Sequence, residues 1–314
     1  MTEQNTVWPY KKPKTSVIKW LLDSDPAIRW QVMQYLLEES KEAVSAERAR
    51  IAVEGWGASL LSAQSSDGSW WADKDPWPLK NTLFTLVMLK DCGLEPTSEE
   101  ARRAVALVRD HLTWVYHDNR PFFHGEVEPC INGRILAVGA YFGEANDELV
   151  ERLLSEQLED GGWNCEAPPS VRSSFHSTIC VLEGLWEYEK VKGGDTAVTD
   201  ARNRAHDYLM DRGMFRSLST GKVIDRNWTR FSFPTTYHYD VLRGLDYLRD
   251  AGATPDERIA EAVELTAKKQ HQNGRWPLQN PHDDRIPFDT EGPVGKASRW
   301  NTLHALRVLE WYYC

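Results

Sequence analysis

Two classes of helical segment alternate along the chain. In one class, at 82–89, 131–142 and 178–185, apolar residues occupy more than one side, the pattern of a helix enclosed by protein. In the other, at 98–109, 148–158, 196–209 and 258–269, charge is confined to one face, as on a helix laid over a core. The enclosed helices share a frame: Leu86 and Leu89, Leu136 and Gly139, Leu182 and Leu185, Leu242 and Leu245, and Leu306 and Leu309 hold equivalent i, i+3 positions. The N-terminal pair 17–22 and 26–37 supplies a remaining inner helix. The alternation predicts an all-α fold, an α/α toroid of about six inner and roughly five to six outer helices, in which each hairpin finds a neighbour by ring closure. It occupies residues 1–314 as one domain.

A short motif punctuates the hairpins. Gln64-Ser-Ser-Asp67-Gly68-Ser-Trp70, Gln157-Leu-Glu-Asp160-Gly161-Gly-Trp163 and Gln270-His-Gln-Asn273-Gly274-Arg-Trp276 share Gln, two residues, Asp or Asn, Gly, one residue and Trp. The stretch 210–215 is a degenerate copy that keeps Gly213 and an aromatic. Gln bonds backbone groups at a helix end, Asp-Gly or Asn-Gly terminates the helix through the left-handed conformation open to Gly, and Trp packs across the gap. The expected role is stapling outer helices to inner ones, not catalysis.

Composition narrows the function. With 41% hydrophobic and 27% charged residues the chain reads as a folded globular protein. A net charge of −10 offers no broad basic surface and excludes nucleic acid as the expected partner. No stretch approaches the roughly 20 apolar residues of a membrane span, and the first residues lack the basic-then-apolar run of a secretory signal. Five cysteines, an odd number, do not read as a disulfide framework. A cytoplasmic location is expected. The 14 tryptophans exceed what the motif uses and suggest an aromatic-lined pocket.

Glutamine–tryptophan motifs on α/α hairpins resemble those of squalene–hopene and oxidosqualene cyclases, and the architecture is similar to the β subunit of protein prenyltransferases. The resemblance spans nearly the whole chain and implies a central cavity that is apolar and takes a small hydrophobic molecule, isoprenoid or polycyclic. The Asp-rich acid motif of the cyclases is not matched by Asp23-Ser-Asp25-Pro26 or Asp283-Asp284, and no dense Arg/Lys cluster marks a diphosphate pocket.

Alignment of the inner helices on their leucines puts Lys80, Cys130, His176, Thr236 and Trp300 at one level, near helix N-termini that favour anions. Cys130 and His176 open consecutive inner helices, and Cys165 stands in the Gly- and Pro-rich loop between them. Two thiolates and an imidazole are a three-ligand zinc set with an open fourth position. The prenyltransferase resemblance implies the same metal: Glu128-Pro-Cys130 is similar to its Asp-x-Cys, Phe175-His176-Ser177-Thr178 to its Tyr-His-Thr, and Arg172 stands four residues before the histidine as in that pattern. Whether Glu128 or Cys165 completes the site stays open at this point. Cys92, Cys180 and Cys314 read as core or tail residues.

The next inner helix opens with Thr235-Thr-Tyr237-His238-Tyr239-Asp240. His238 and Tyr237 are candidates for general acid and base, with a second metal ligand or a hydrogen-bonded core cluster as alternatives for His238; Asp240 is a candidate acid. Arg299, Trp300 and the segment 226–230 are expected to place cations and an aromatic wall at the mouth, and Arg172 to touch substrate. The resulting expectation is a zinc-dependent enzyme acting by prenyl-type transfer, cyclisation, hydrolysis or lyase chemistry; the competing expectation is a metal-free terpenoid- or lipid-binding protein of the same fold.

Overall fold

The three complete motifs end their helices in the same way. Trp70, Trp163 and Trp276 are fully buried, and each indole Nε1 donates to a carbonyl ten residues upstream, on Leu60, Leu153 and Thr266 at 2.7, 2.6 and 2.7 Å. Each Trp N–H in turn donates to a threonine hydroxyl near the start of the following helix, Thr82, Thr178 or Thr302. The Gln64 and Gln157 amides bridge the Gly carbonyl of their own motif to Ala104 and Ala201 on the next outer helix; Gln270 bonds Gly274. Each repeat therefore ties an outer helix to an inner one, and the first two also reach the next outer helix.

These connections come from a computed structural model, which describes residues 12–74, 77 and 79–314. The inner helices are α2 (Pro26–Tyr35), α5 (Lys80–Cys92), α7 (Pro129–Phe142), α9 (Phe175–Lys192), α11 (Val241–Asp250) and α13 (Arg299–Tyr313). The outer helices are α1 (Thr15–Leu22), α4 (Gly55–Ser62), α6 (Glu99–His111), α8 (Asp147–Ser155), α10 (Thr196–Met210) and α12 (Ala260–Lys268), while α3 (Lys41–Ala49) packs on α2. Helix α2 touches α5, α5 touches α7, α7 touches α9, α11 touches α13, and α13 returns to α2. Between α9 and α11 the ring is closed by Arg243 on Glu183, and between α13 and α2 it is tied by Arg307 Nη1 on Gln31 Oε1, 2.9 Å. The chain is an all-α toroid. A two-residue antiparallel pairing of Thr113–Trp114 with Arg120–Pro121 is a local excursion.

The α7–α9 pair is the tightest contact in the ring because glycines face each other across it. A Cβ on Gly133 would lie 2.4 Å from the Cys180 carbonyl oxygen, and one on Gly184 would lie 2.4 Å from that of Gly133. Backbone therefore meets backbone, and the N-termini of α7 and α9 are held side by side. The segment 231–240, mostly buried, crosses inside this end of the ring. Phe233 stacks on Trp300 at 4.2 Å, Pro234 to Thr236 lie against Phe84, Val87 and Met88 of α5, and the buried Arg134 donates to the Thr236 carbonyl. Thr236 holds φ 51°, an unusual value for a β-branched residue, fixed here by that guanidinium.

This segment floors a cavity of about 340 Å³ that extends toward the other end of the ring. The expected apolar interior is corrected: Lys90, Arg134, Glu183, Arg243, Asp246 and Arg307 line it. The charges are tolerated because they are paired, Glu183 with both Arg134 and Arg243, and Asp246 with Arg307 and Arg249. Glu183, Arg243 and Arg307 each follow the framing leucine directly, so the signal stood beside the residues used to align the helices.

Candidate functional site

The N-termini of α7, α9 and α11 converge on one end of the ring. Pro129 occupies the first turn of α7, where its missing N–H costs nothing, and the exposed Glu128 and buried Cys130 flank it. Cys130 Sγ lies 3.5 Å from Glu128 Oε2. The turn after Trp163 brings Cys165 back over α9, its N–H and Sγ on the Ser177 hydroxyl at 3.3 and 3.2 Å. The ligand atoms of Glu128, Cys130 and Cys165 all lie within 4.8 Å of one another. The contact between the two thiols lowers Cys165 below the usual thiol value and, together with burial, raises Cys130 above it. Glu128 and Cys165 thus both stand beside Cys130.

His176, in the first turn of α9, faces elsewhere. Its Nδ1 accepts the backbone N–H of Tyr239 at 2.8 Å, so the neutral ring carries its proton on Nε2. The ring sits edge-on to Trp228 and to His238, 5.6 and 5.7 Å between centroids. Burial, with His238 and Arg243 nearby, lowers its pKa to about 4. The arrangement differs here from the Cys–Cys–His set expected, because the crossing segment before α11 contributes a backbone donor that claims the ring.

Two residues with no local sequence signal complete a second cluster. His238 stacks on His282 at 3.8 Å between centroids and, on its other neighbour, Tyr237 at 4.1 Å. His238 Nε2 stands 3.3 Å from Asp284 Oδ1, and Thr236 Oγ1 donates to Asp284 Oδ2 at 3.4 Å. The ligand atoms of His238, His282 and Asp284 also lie within 4.8 Å of one another. Tyr237 is partly exposed, its phenol raised above its usual pKa by burial and then by the charges of Asp284, Cys130 and Glu128. It therefore senses both clusters.

Several sequence expectations are corrected. Asp240 is not a free acid: it caps α11, its Oδ1 accepting the Arg243 N–H and its Oδ2 accepting both the N–H and hydroxyl of Ser232. Arg299 does not face the mouth; it donates to the Trp20 and Asp23 carbonyls at the end of α1 and covers the Trp20 ring. Trp300 is fully buried between Phe233 and Trp56 and supports the crossing segment from behind. Arg230 is tied to the Gln279 carbonyl, and Arg226 is exposed. Arg172 is exposed on the loop before α9, where its carbonyl accepts Asn164 Nδ2 at 2.7 Å. Cys92 and Cys180 are core residues and Cys314 is exposed, as expected.

No protein-family model matches the chain, and no curated protein matches it. Among solved structures the fold is similar to that of type II terpene cyclases. MstE from Scytonema, without ligand, is 14% identical over 95% of this chain and 98% of that one, with a TM-score of 0.47. A single-substitution variant of that cyclase with its product merosterolic acid A gives 15% identity, the same coverage and 0.43. A protein from Actinoplanes gives 17% identity over 95% and 99% of the two chains, with 0.47. Among the described residues no helix is long and apolar enough to cross a membrane.

Proposed function

We propose that the chain is a zinc-dependent enzyme acting on a small hydrophobic molecule at the N-terminal mouth of the toroid. The observation that carries this reading is the convergence of Glu128, Cys130 and Cys165 within 4.8 Å on a helix pair held rigid by Gly133 and Gly184. The donor set suits zinc: ligands about 2.3 Å from a tetrahedral ion lie about 3.8 Å apart, within that span, and the Cys165 thiol is lowered below its usual value by its Cys130 neighbour. Zinc bound by three protein groups supplies Lewis acidity toward a thiol, carbonyl or water at its open position.

The chain's own residues set the rest. The Tyr237 phenol, its pKa raised by burial and then by its acidic neighbours, is a hydrogen-bond donor at the same opening. Trp77, Val127 and Val171 are 71%, 53% and 77% exposed, and each stands in a segment leading into an inner helix, so the rim offers apolar contact. The inner cavity is mixed, with Trp30, Tyr35, Trp186 and Phe233 standing among its charged groups. The hydrophobic part of a substrate accordingly lies against the rim, with its reacting group toward the thiols.

Zinc K-edge absorption on the purified protein tests this, beside Cys130→Ala and Cys165→Ala variants. The expected result is a zinc–sulfur shell near about 2.3 Å that weakens in either variant while the helical spectrum is retained. A protein without sulfur-bound metal overturns the reading, and an apolar molecule carried through purification would then favour binding without catalysis.

A further inference from the structure

The hydrogen bonds around His282 run in one direction only. Asp240 accepts at both oxygens, including the single hydroxyl hydrogen of Ser232 at 3.0 Å. That hydroxyl has no other hydrogen to give, so at its 3.1 Å contact with His282 Nε2 it must accept. His282 therefore carries its proton on Nε2, and its Nδ1 keeps a lone pair with no protein partner among the described residues. A ring whose far N–H is anchored through a hydroxyl to a buried carboxylate is the arrangement that orients a metal-ligating histidine. Asp284 is supported likewise, by the Thr236 hydroxyl on its second oxygen. The 3.3 Å between His238 Nε2 and Asp284 Oδ1 matches the roughly 3.0–3.4 Å between neighbouring ligands of an ion about 2.1 Å from each.

We propose that His238, His282 and Asp284 form a divalent metal site separate from the thiols, with Ser232, Asp240 and Thr236 as its positioning residues. Two imidazoles and one carboxylate suit a first-row ion such as Fe²⁺, Co²⁺ or Zn²⁺ and leave further positions open. The two rings are stacked 14° from parallel and cannot hold one ion in both ring planes, so binding turns the half-buried His238 out of the stack while His282 stays anchored. The segment 231–240 crosses the ring interior because it carries this site: Arg134 fixes the Thr236 carbonyl and Arg243 Nη1 fixes that of His238 at 2.6 Å, so two buried guanidiniums set the loop from below.

The test is Co²⁺ titration of the full chain carrying Cys130→Ser and Cys165→Ser, which removes the sulfur donors and leaves this site intact. About one Co²⁺ per chain is expected, with ligand-field absorption and no sulfur-to-cobalt charge transfer. Adding His282→Ala or Asp284→Asn should abolish binding, with circular dichroism confirming the fold. Ser232→Ala should weaken it about 10- to 100-fold, since it frees the ring without removing a ligand. Absence of saturable binding in the folded sulfur-free chain, or binding indifferent to His282→Ala and Asp284→Asn, overturns the proposal. Loss of the sulfur site alone overturns only the zinc reading.

Discussion

The Nδ1 of His176 accepts the backbone N–H of Tyr239 at 2.8 Å, joining the start of α9 to the start of α11. A metal-ligating histidine ordinarily donates its other ring N–H to a neighbour; His176 receives instead. The expected result for His176→Ala is that sulfur-bound zinc persists, while stability falls by about 1–3 kcal/mol because the Tyr239 N–H is left without its acceptor. Zinc content and urea unfolding, measured together, check both halves. Loss of zinc in this variant would restore His176 to the ligand set.

Acid should destabilise the fold before it reaches the carboxylates. His176, His206 and His282 are each lowered to about 4, first by burial and then by neighbouring cations or imidazoles. A histidine whose folded pKa is depressed binds its proton more readily when unfolded, so stability is full above about 6.5 and is lost as pH falls from there toward 4. His206 tests this away from the mouth: it is buried, with Nε2 on the Tyr247 hydroxyl at 3.0 Å. Urea midpoints at pH 7 and pH 5 should differ, and His206→Gln should reduce the difference by an amount on the order of 1 kcal/mol. An unchanged pH dependence in that variant contradicts the assignment.

The repeat makes its own prediction. Trp163→Phe preserves most of the ring but leaves the buried Leu153 carbonyl without the indole donor, a loss of about 1–3 kcal/mol. Gly161→Ala should cost more, since φ is 98° and the new Cβ would lie 2.6 Å from the Arg204 carbonyl oxygen. Thermal unfolding of both variants measures this, with Co²⁺ binding unaffected because neither residue touches the clusters.

The ring was legible because its determinants are local and repeated. The three Gln-to-Trp motifs and the framing leucines recur at fixed offsets, so the helices they staple follow from sequence. The thiol cluster was legible in part, because Cys130 and Cys165 lie on successive connections into one helix pair. His282 and Asp284 were not, since they reach His238 from a loop more than 40 residues away whose sequence carries no periodic signal. The charged cavity was hidden for a different reason. Amphipathic patterning distinguishes buried from exposed faces, and Arg134 and Arg243 are buried charges that only their pairing with Glu183 makes tolerable.

That pairing carries the last prediction. Glu183 is held at about 2 by Arg134 and Arg243 despite its burial, and it bonds Arg243 Nε and Nη2 at 2.8 and 2.9 Å. A depressed carboxylate contributes stability that is present above about 4.5 and lost as pH falls toward 2. In Glu183→Gln the two guanidiniums, 3% and 5% exposed, keep their charge and lose its counterpart, an expected cost of about 3–5 kcal/mol. Because the same guanidiniums hold the Thr236 and His238 carbonyls, the damage should not stop at the core. Amides in 232–240 should exchange faster with deuterium, and Co²⁺ affinity in the sulfur-free chain should fall even though no ligand has changed. Normal exchange in that segment, with stability reduced elsewhere, would separate the buried network from the site above it.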